Sequence, residues 1–171
     1  MNTPPSAGVL LIDGRSGSGK TTLAEHTAAT TGAQVLHVEE LYPGWDGLAA
    51  GSAAVARALE HGRYHRYDWI AERFMNEVTL DPGPLIVEGC GALTRANLRA
   101  ARVWAQCHGL DGVHAVWLEL EDDERRRRAL ARDGDTFAPH WYRWAAQEDA
   151  HFGRHRPWLL ADQVLRIDEA L

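Results

Sequence analysis

Gly14-Arg15-Ser16-Gly17-Ser18-Gly19-Lys20-Thr21 fits the spacing G-x-x-x-x-G-K-[ST], and its surroundings decide what that match means. Upstream, Val9-Leu10-Leu11-Ile12 is a short apolar run of the kind a buried parallel strand shows. Downstream, Thr22 to Ala29 reads as a helix that ends near Gly32. Strand, glycine-rich turn and helix are what phosphate binding needs. Glycines let the backbone wrap a phosphate without Cβ clashes, and the helix N-terminus supplies partial positive charge. Gly14, Ser16, Gly17, Ser18, Gly19, Lys20, Thr21 and Thr22 are therefore the expected phosphate contacts of a nucleoside triphosphate, with Thr21 on Mg²⁺. Lys20 is the only lysine among 18 basic residues. A flexible ammonium suits the space between β- and γ-phosphates, and a planar guanidinium does not substitute freely there.

At 171 residues and 19.0 kDa, residues 1–171 read as one domain with a real core. Hydrophobic content of 45% and charged content of 25% are those of a soluble globular protein. A net charge of −6 argues against a nucleic-acid surface, which wants a basic face. Cys90 and Cys107 stand far apart without C-x-x-C spacing and read as reduced, buried thiols of a cytoplasmic protein. No apolar run approaches the roughly 20 residues of a membrane span, no signal-peptide pattern is visible, and residues 1–7 read as a loose leader.

Working outward, Gln34 to Val38 is a second strand that ends at the carboxylates Glu39 and Glu40. Acids at the carboxyl end of a parallel strand stand where open sheets bind ligands. Ala53 to Glu60 reads as a helix, and Ile70 to Val78 as another. Between them, residues 63–69 hold three aromatic and three basic side chains. Leu85-Ile86-Val87 is the third strand, running into Glu88; Arg95 to Gln106 is helical; Val113 to Leu118 is the fourth strand. An arginine-rich helix opens at Asp122-Asp123-Glu124, with acid where the dipole favours it, and stops at Gly134. Pro139 to Ala150 is a tryptophan-rich helix and Gln163 to Ile167 the final strand. Alternating strands and helices give an α/β domain with a parallel sheet.

Four groups can meet at the carboxyl ends of these strands. The phosphate loop is the first. Glu39 is the candidate base, because phosphoryl transfer to a hydroxyl needs a carboxylate to take its proton; the plain alternative is a solvated loop pair with Glu40. Glu88 is the candidate metal ligand beside Thr21, and the flanking glycines of Cys90 would let backbone approach a ligand. Arg125, Arg128 and Arg132, at i, i+3 and i+7, share a helix face and suit a transferring phosphoryl, though such runs are often solvated faces paired to acids like Asp122. Tyr42, Trp45, Arg63, Tyr64, Tyr67 and Asp68 are candidates for an acceptor pocket, while Trp141 and Trp144 read as core. His151 and His155 can share a face but lack a third zinc ligand.

With these residues in place, the chain resembles the uridine kinase-like branch of the phosphate-loop kinases. Residues 14–22 look like that branch's G-x-S-G-S-G-K-T-T; Glu39-Glu40-Leu41-Tyr42 looks like its D-x-F-Y, whose acid serves as base toward the nucleoside hydroxyl. Val87-Glu88-Gly89 matches its strand-E-G element, and Arg125, Arg128, Arg132 and Asp133 match its lid pattern R-x-x-R-x-x-x-R-D. The segment 41–48 with Tyr67-Asp68-Trp69 is similar to a compact bacterial subgroup. Two departures stand out: the base is a glutamate, one methylene longer than aspartate, and no counterpart of the hairpin over the nucleoside is found. The resemblance implies a three-layer fold with a five-stranded parallel sheet in the order 2-3-1-4-5, helices on both faces, and an arginine-rich lid at about 121–138. It implies γ-phosphoryl transfer from ATP–Mg²⁺ to a hydroxyl of a small molecule, a nucleoside first, by a monomer or homodimer. Rival readings are another acceptor (a nucleotide, sugar, vitamin or antibiotic, with Arg63 and Arg66 as a second anion site) or an ATP-dependent switch with little transfer.

Overall fold

The computed structural model describes residues 8–167; the segment read as a leader lies outside the described residues. β1 (Val9–Gly14) is buried along its whole length and forms the centre of the sheet. The chain then passes through α1 (Lys20–Thr31), β2 (Gln34–His37), a short 3-10 turn at Val38–Leu41, and α2 (Leu48–His61). A hairpin of β3 (Arg63–Asp68) and β4 (Arg73–Thr79) follows, then β5 (Leu85–Glu88), α3 (Arg95–Cys107), β6 (Val113–Glu119), α4 (Asp122–Phe137), α5 (Trp141–His155) and β7 (Gln163–Arg166).

β2, β5, β1, β6 and β7 lie side by side, all parallel, which is the expected order 2-3-1-4-5 when only these strands are counted. Alternation along β1 separates two cores. Val9 and Leu11 face the larger one, with Leu48, Val55, Trp104 and Phe152 from α2, α3 and α5. Leu10 and Ile12 face the smaller one, with Ala24 of α1. A strand buried on both faces carries a continuous apolar run, and helices then cover both sides. The register sets Ile12 and His37 on either side of Glu88, so the strand ends converge at one edge.

The hairpin corrects the expected helix at Ile70 to Val78. Its signal is weak because almost every β4 side chain is exposed, so no apolar alternation marks it. What specifies it is local. Asp68 Oδ1 accepts the N–H groups of Ile70 (2.9 Å) and Ala71 (2.7 Å), which closes the turn. Tyr67 and Phe74 stand opposite each other with ring centres 5.2 Å apart.

Smaller differences have equally local causes. α2 begins at Leu48, five residues before the expected start, because Leu48 itself is fully buried. α4 breaks at Gly134 as expected, where φ is +49° and ψ −128°, but helical turns resume to Phe137, whose ring is buried. Cys90 is buried; Cys107 is exposed, which corrects the reading of two buried thiols. Among the described residues no helix is long and apolar enough to cross a membrane.

Candidate active site

A cleft of about 580 Å³ opens above the carboxyl ends of β1, β2 and β5. Its floor is the phosphate loop. Gly17 has φ +81°, and a Cβ there would come within 2.1 Å of the Arg125 carbonyl oxygen, so only glycine lets α4 sit against the loop. Gly19, with φ +94°, turns the chain into α1. The first N–H groups of that helix have no partner inside it. Lys20 is buried and folds back, its Nζ donating to the Arg15 carbonyl at 3.0 Å.

Thr21 Oγ1 donates to Glu88 at 3.2 Å and 3.3 Å, to one carboxylate oxygen and the other. Glu88 is buried, and its Oε1 lies 2.5 Å from His37 Nδ1. That contact raises the His37 pKa against the opposing effect of burial. A hydroxyl and a carboxylate at the mouth of a phosphate loop are hard oxygen donors, the set Mg²⁺ takes alongside water and phosphate. The residues fit the ion.

Glu39 and Glu40 diverge. Glu39 lines the cleft; its carboxyl is raised above the ordinary range, first by desolvation among the cleft walls and next by the Glu88 charge. It stays open to solvent, so the walls desolvate it without enclosing it. Glu40 points to the hairpin, accepting Tyr64 Oη at 2.5 Å and pairing with Arg66 at 3.2 Å.

Of the three lid arginines only Arg132 lines the cleft, its guanidinium on Asp133 at 2.8 Å. Arg128 is held by Glu124 at 2.7 Å, one helical turn away. Arg125 is buried beside Asp122 and donates to the Ser16 carbonyl at 3.1 Å, behind the loop, where it borders a second hollow of about 570 Å³ with Arg15, Leu118 and Ile167. Acids one turn away hold both side chains, so a shared face did not deliver a shared target.

The expected acceptor residues also divide. Tyr42 and Trp45 line the cleft. Arg63, Tyr64, Tyr67 and Asp68 serve the hairpin instead: Arg63 faces Glu77, Tyr64 bonds Glu40, Tyr67 packs on Trp69 and Phe74, and Asp68 closes the turn. The hairpin brings in Trp69, whose Nε1 donates to the Glu39 carbonyl at 3.3 Å and whose ring meets Trp45 at 5.0 Å. Phe137 and Trp144, buried among the aromatic residues, also form wall. Trp141 is core, and His151 and His155 do lie together, ring centres 4.4 Å apart. Neither Thr22 nor Ser18 lines the cleft, and Ser18 is fully buried. The glycines around Cys90 make room for protein, since a Cβ at Gly89 would meet Val38 at 2.8 Å and one at Gly91 would meet Ser52 at 2.7 Å, and Gly89 and Cys90 also line the cleft.

Two buried acids escaped the sequence reading, and both support the loop from beneath. Glu148 of α5, only 2% exposed, accepts the Ser16 N–H at 2.7 Å and the Cys90 thiol at 3.4 Å. Burial pushes that thiol up to about 12, so it stays protonated and donates. The same helix reaches the acceptor wall, Gln147 donating to the Trp45 carbonyl at 2.6 Å. Replacing Glu148 with Ala should leave the Ser16 N–H unpaired, a loss of about 1–3 kcal/mol. Calorimetric titration with ATP should then show affinity roughly tenfold weaker, and Glu148→Gln, which still accepts, should recover most of it.

Asp13 is fully buried and accepts N–H groups of Gly14 (2.7 Å), Gly91 (3.1 Å) and Leu93 (2.9 Å), tying the loop to the turn after β5. Those donors and Lys20 favour the anion, but desolvation exceeds them and pushes the carboxyl up to about 7. A carboxyl raised on folding stabilises most below its unfolded value near 3.8, and that contribution is lost as pH rises through about 7. The wild-type Tm should therefore fall between pH 5 and 8 more steeply than that of Asp13→Asn; parallel curves would show that Asp13 does not titrate there.

No family model matches this sequence, and no curated protein matches it. Solved structures do. A structure described as a possible uridine kinase from Bacillus stearothermophilus superposes with a TM-score of 0.55 at 20% identity, over 92% of this chain and 88% of that one. A gluconokinase from Sinorhizobium meliloti 1021 gives 0.54 at 19% identity, over 96% and 83%. Shikimate kinase from Acinetobacter baumannii, in complex with shikimate, gives 0.55 at 14% identity, over 97% and 89%. The fold is that of the phosphate-loop small-molecule kinases. Within this fold the cleft lies above the phosphate loop, and its far wall is built from the hairpin, the Trp45 loop, the end of α4 and α5.

Proposed function

We propose that the protein transfers the γ-phosphoryl group of ATP–Mg²⁺ to a hydroxyl of a small molecule, in the cytoplasm. The observation that carries this reading is one cleft holding the phosphate loop on its floor and the Glu39 carboxylate on its wall. A switch would need the loop but not the base.

Lys20 and the amides of Gly17, Gly19 and the start of α1 hold the phosphates, and the Ser16 amide is kept by Glu148 to fix the loop's shape. Thr21 and Glu88 would hold the Mg²⁺, which supplies neutralising charge on the phosphates. His37 fixes the Glu88 carboxylate through its Oε1. The acceptor hydroxyl oxygen bonds to the γ-phosphorus as the bond to the β–γ bridging oxygen breaks, and ADP leaves. Glu39 takes the hydroxyl proton. Arg132, on the helix beyond the cleft, swings from Asp133 to the transferring group, whose charge it complements. Arg125 braces the loop from behind.

Names among the structural neighbours span uridine, gluconate and shikimate, so acceptors vary on this fold. Here the aromatic wall supports a ring-bearing acceptor, and a nucleoside is the first to try. The test is ADP formation from ATP–Mg²⁺ across nucleosides, nucleotides, sugars and vitamins, with mass detection of phosphorylated products. Acceptor-dependent ADP with a matching phosphorylated product is expected. Tight ATP binding without any product would favour the switch.

A further inference from the structure

Part of the hydrogen-bonding capacity at the far end of the cleft is spent within the protein. Tyr42 Oη is committed to the Cys90 carbonyl at 2.6 Å, and Trp69 Nε1 to the Glu39 carbonyl. What remains toward the ligand is the Thr136 hydroxyl, ring surface and charge. The charges are Glu39, Asp133 and Arg132. Arg63 and Arg66, the pair expected to offer a second anion site, are turned to Glu77 and Glu40. Arg132 neutralises Asp133 only while it is not on the triphosphate. Once Arg132 turns to the phosphates, two carboxylates and a set of aromatic rings face the acceptor.

We propose that the acceptor is a cation: a ring-bearing alcohol that carries a protonated amine, held against the Trp69 ring with Glu39 and Asp133 beside it, since the Trp45 ring is stacked on His140 (ring centres 4.3 Å apart) and Phe137 (5.5 Å). The inference rests on the kinase reading of this cleft. An ammonium near a tryptophan face is attracted by the ring quadrupole, more strongly where water is excluded. A carboxylate or phosphate in the same place would meet two like charges. A cation also has a catalytic consequence. Placed beside Glu39, it opposes the desolvation and the Glu88 charge that hold this carboxyl up, and so favours the ionised form of the base.

Three compounds that share one ring and one benzylic hydroxyl separate the possibilities: 2-amino-1-phenylethanol (cation), 1-phenyl-1,2-ethanediol (neutral) and mandelate (anion). Each is titrated into the whole protein saturated with a non-hydrolysable ATP analogue and Mg²⁺, so that a γ-phosphoryl group is present for Arg132, following tryptophan fluorescence. The amine should bind about tenfold tighter than the diol, the diol tighter than mandelate, and the amine-over-diol ratio should fall toward one in Asp133→Asn. Equal binding of amine and diol would overturn the proposal in favour of a neutral acceptor such as a nucleoside. Mandelate binding best, or no binding by any of the three, would overturn it outright. Failure of the kinase reading itself shows up elsewhere, as absence of acceptor-dependent ADP while the charge ranking persists.

Discussion

Glu39→Gln should lower the transfer rate by about 10²–10⁴-fold while leaving ATP affinity unchanged, the scale of losing a general base. Glutamine keeps the volume and the cleft wall but cannot take a proton. Glu39 stands in the cleft on its own, whereas Glu40 is spent on Tyr64 and Arg66, so the neighbouring acid has no route to substitute. The pH profile carries the same signature. A protonated Glu39 is no base, and its carboxyl is raised above the ordinary 4.5. The rate should therefore fall as pH drops through a value higher than that of a free glutamate, and the variant should lack this limb. Glu40→Gln, in contrast, loosens the hairpin and should leave the limb in place. If Glu39→Gln keeps the full rate, the base lies elsewhere.

The second large effect concerns Lys20. Lys20→Ala should cut kcat/KM for ATP by about 10²–10³-fold, as removal of one preorganised donor to developing phosphate charge does. In the structure Lys20 Nζ rests on the Arg15 carbonyl, a position from which it can turn to a phosphate. Because no other side chain in this sequence is a lysine, its chemistry can be read directly. Amine acylation followed by peptide mass analysis should label residue 20 in the free protein and spare it when ATP is bound. Equal labelling in both states would remove Lys20 from the phosphate site.

The phosphate loop and the five parallel strands were legible because each rests on a local pattern, a glycine spacing or a short run of apolar residues between turns, while the strand order came from the family resemblance. The hairpin was not, because β4 buries nothing and its strand character comes from cross-strand partners that no window of the sequence contains. The arginine face failed for a related reason. Spacing shows which side chains share a face, but Asp122 and Glu124 lie one turn away and capture Arg125 and Arg128 first. Glu148 and Asp13 were invisible for the opposite cause. Nothing near Glu148 in the chain hints that it lies beneath Ser16, 132 positions away, and Asp13 reads as the last residue of a strand until the turn after β5 closes over it. The half of the cleft proposed to bind phosphate is written in contiguous residues; the half proposed to hold the acceptor is assembled from four separate segments.

The most direct test supplies wild type and Glu39→Gln with ATP labelled by ¹⁸O in the γ-phosphoryl group, together with a mixed pool of hydroxyl-bearing small molecules, and follows the label by mass. The account expects the label on a hydroxyl of one acceptor class in the wild type, with matching ADP, and its near-absence in the variant at equal ATP occupancy. Label that stays in ATP or appears only in inorganic phosphate, identically in both proteins, would contradict it.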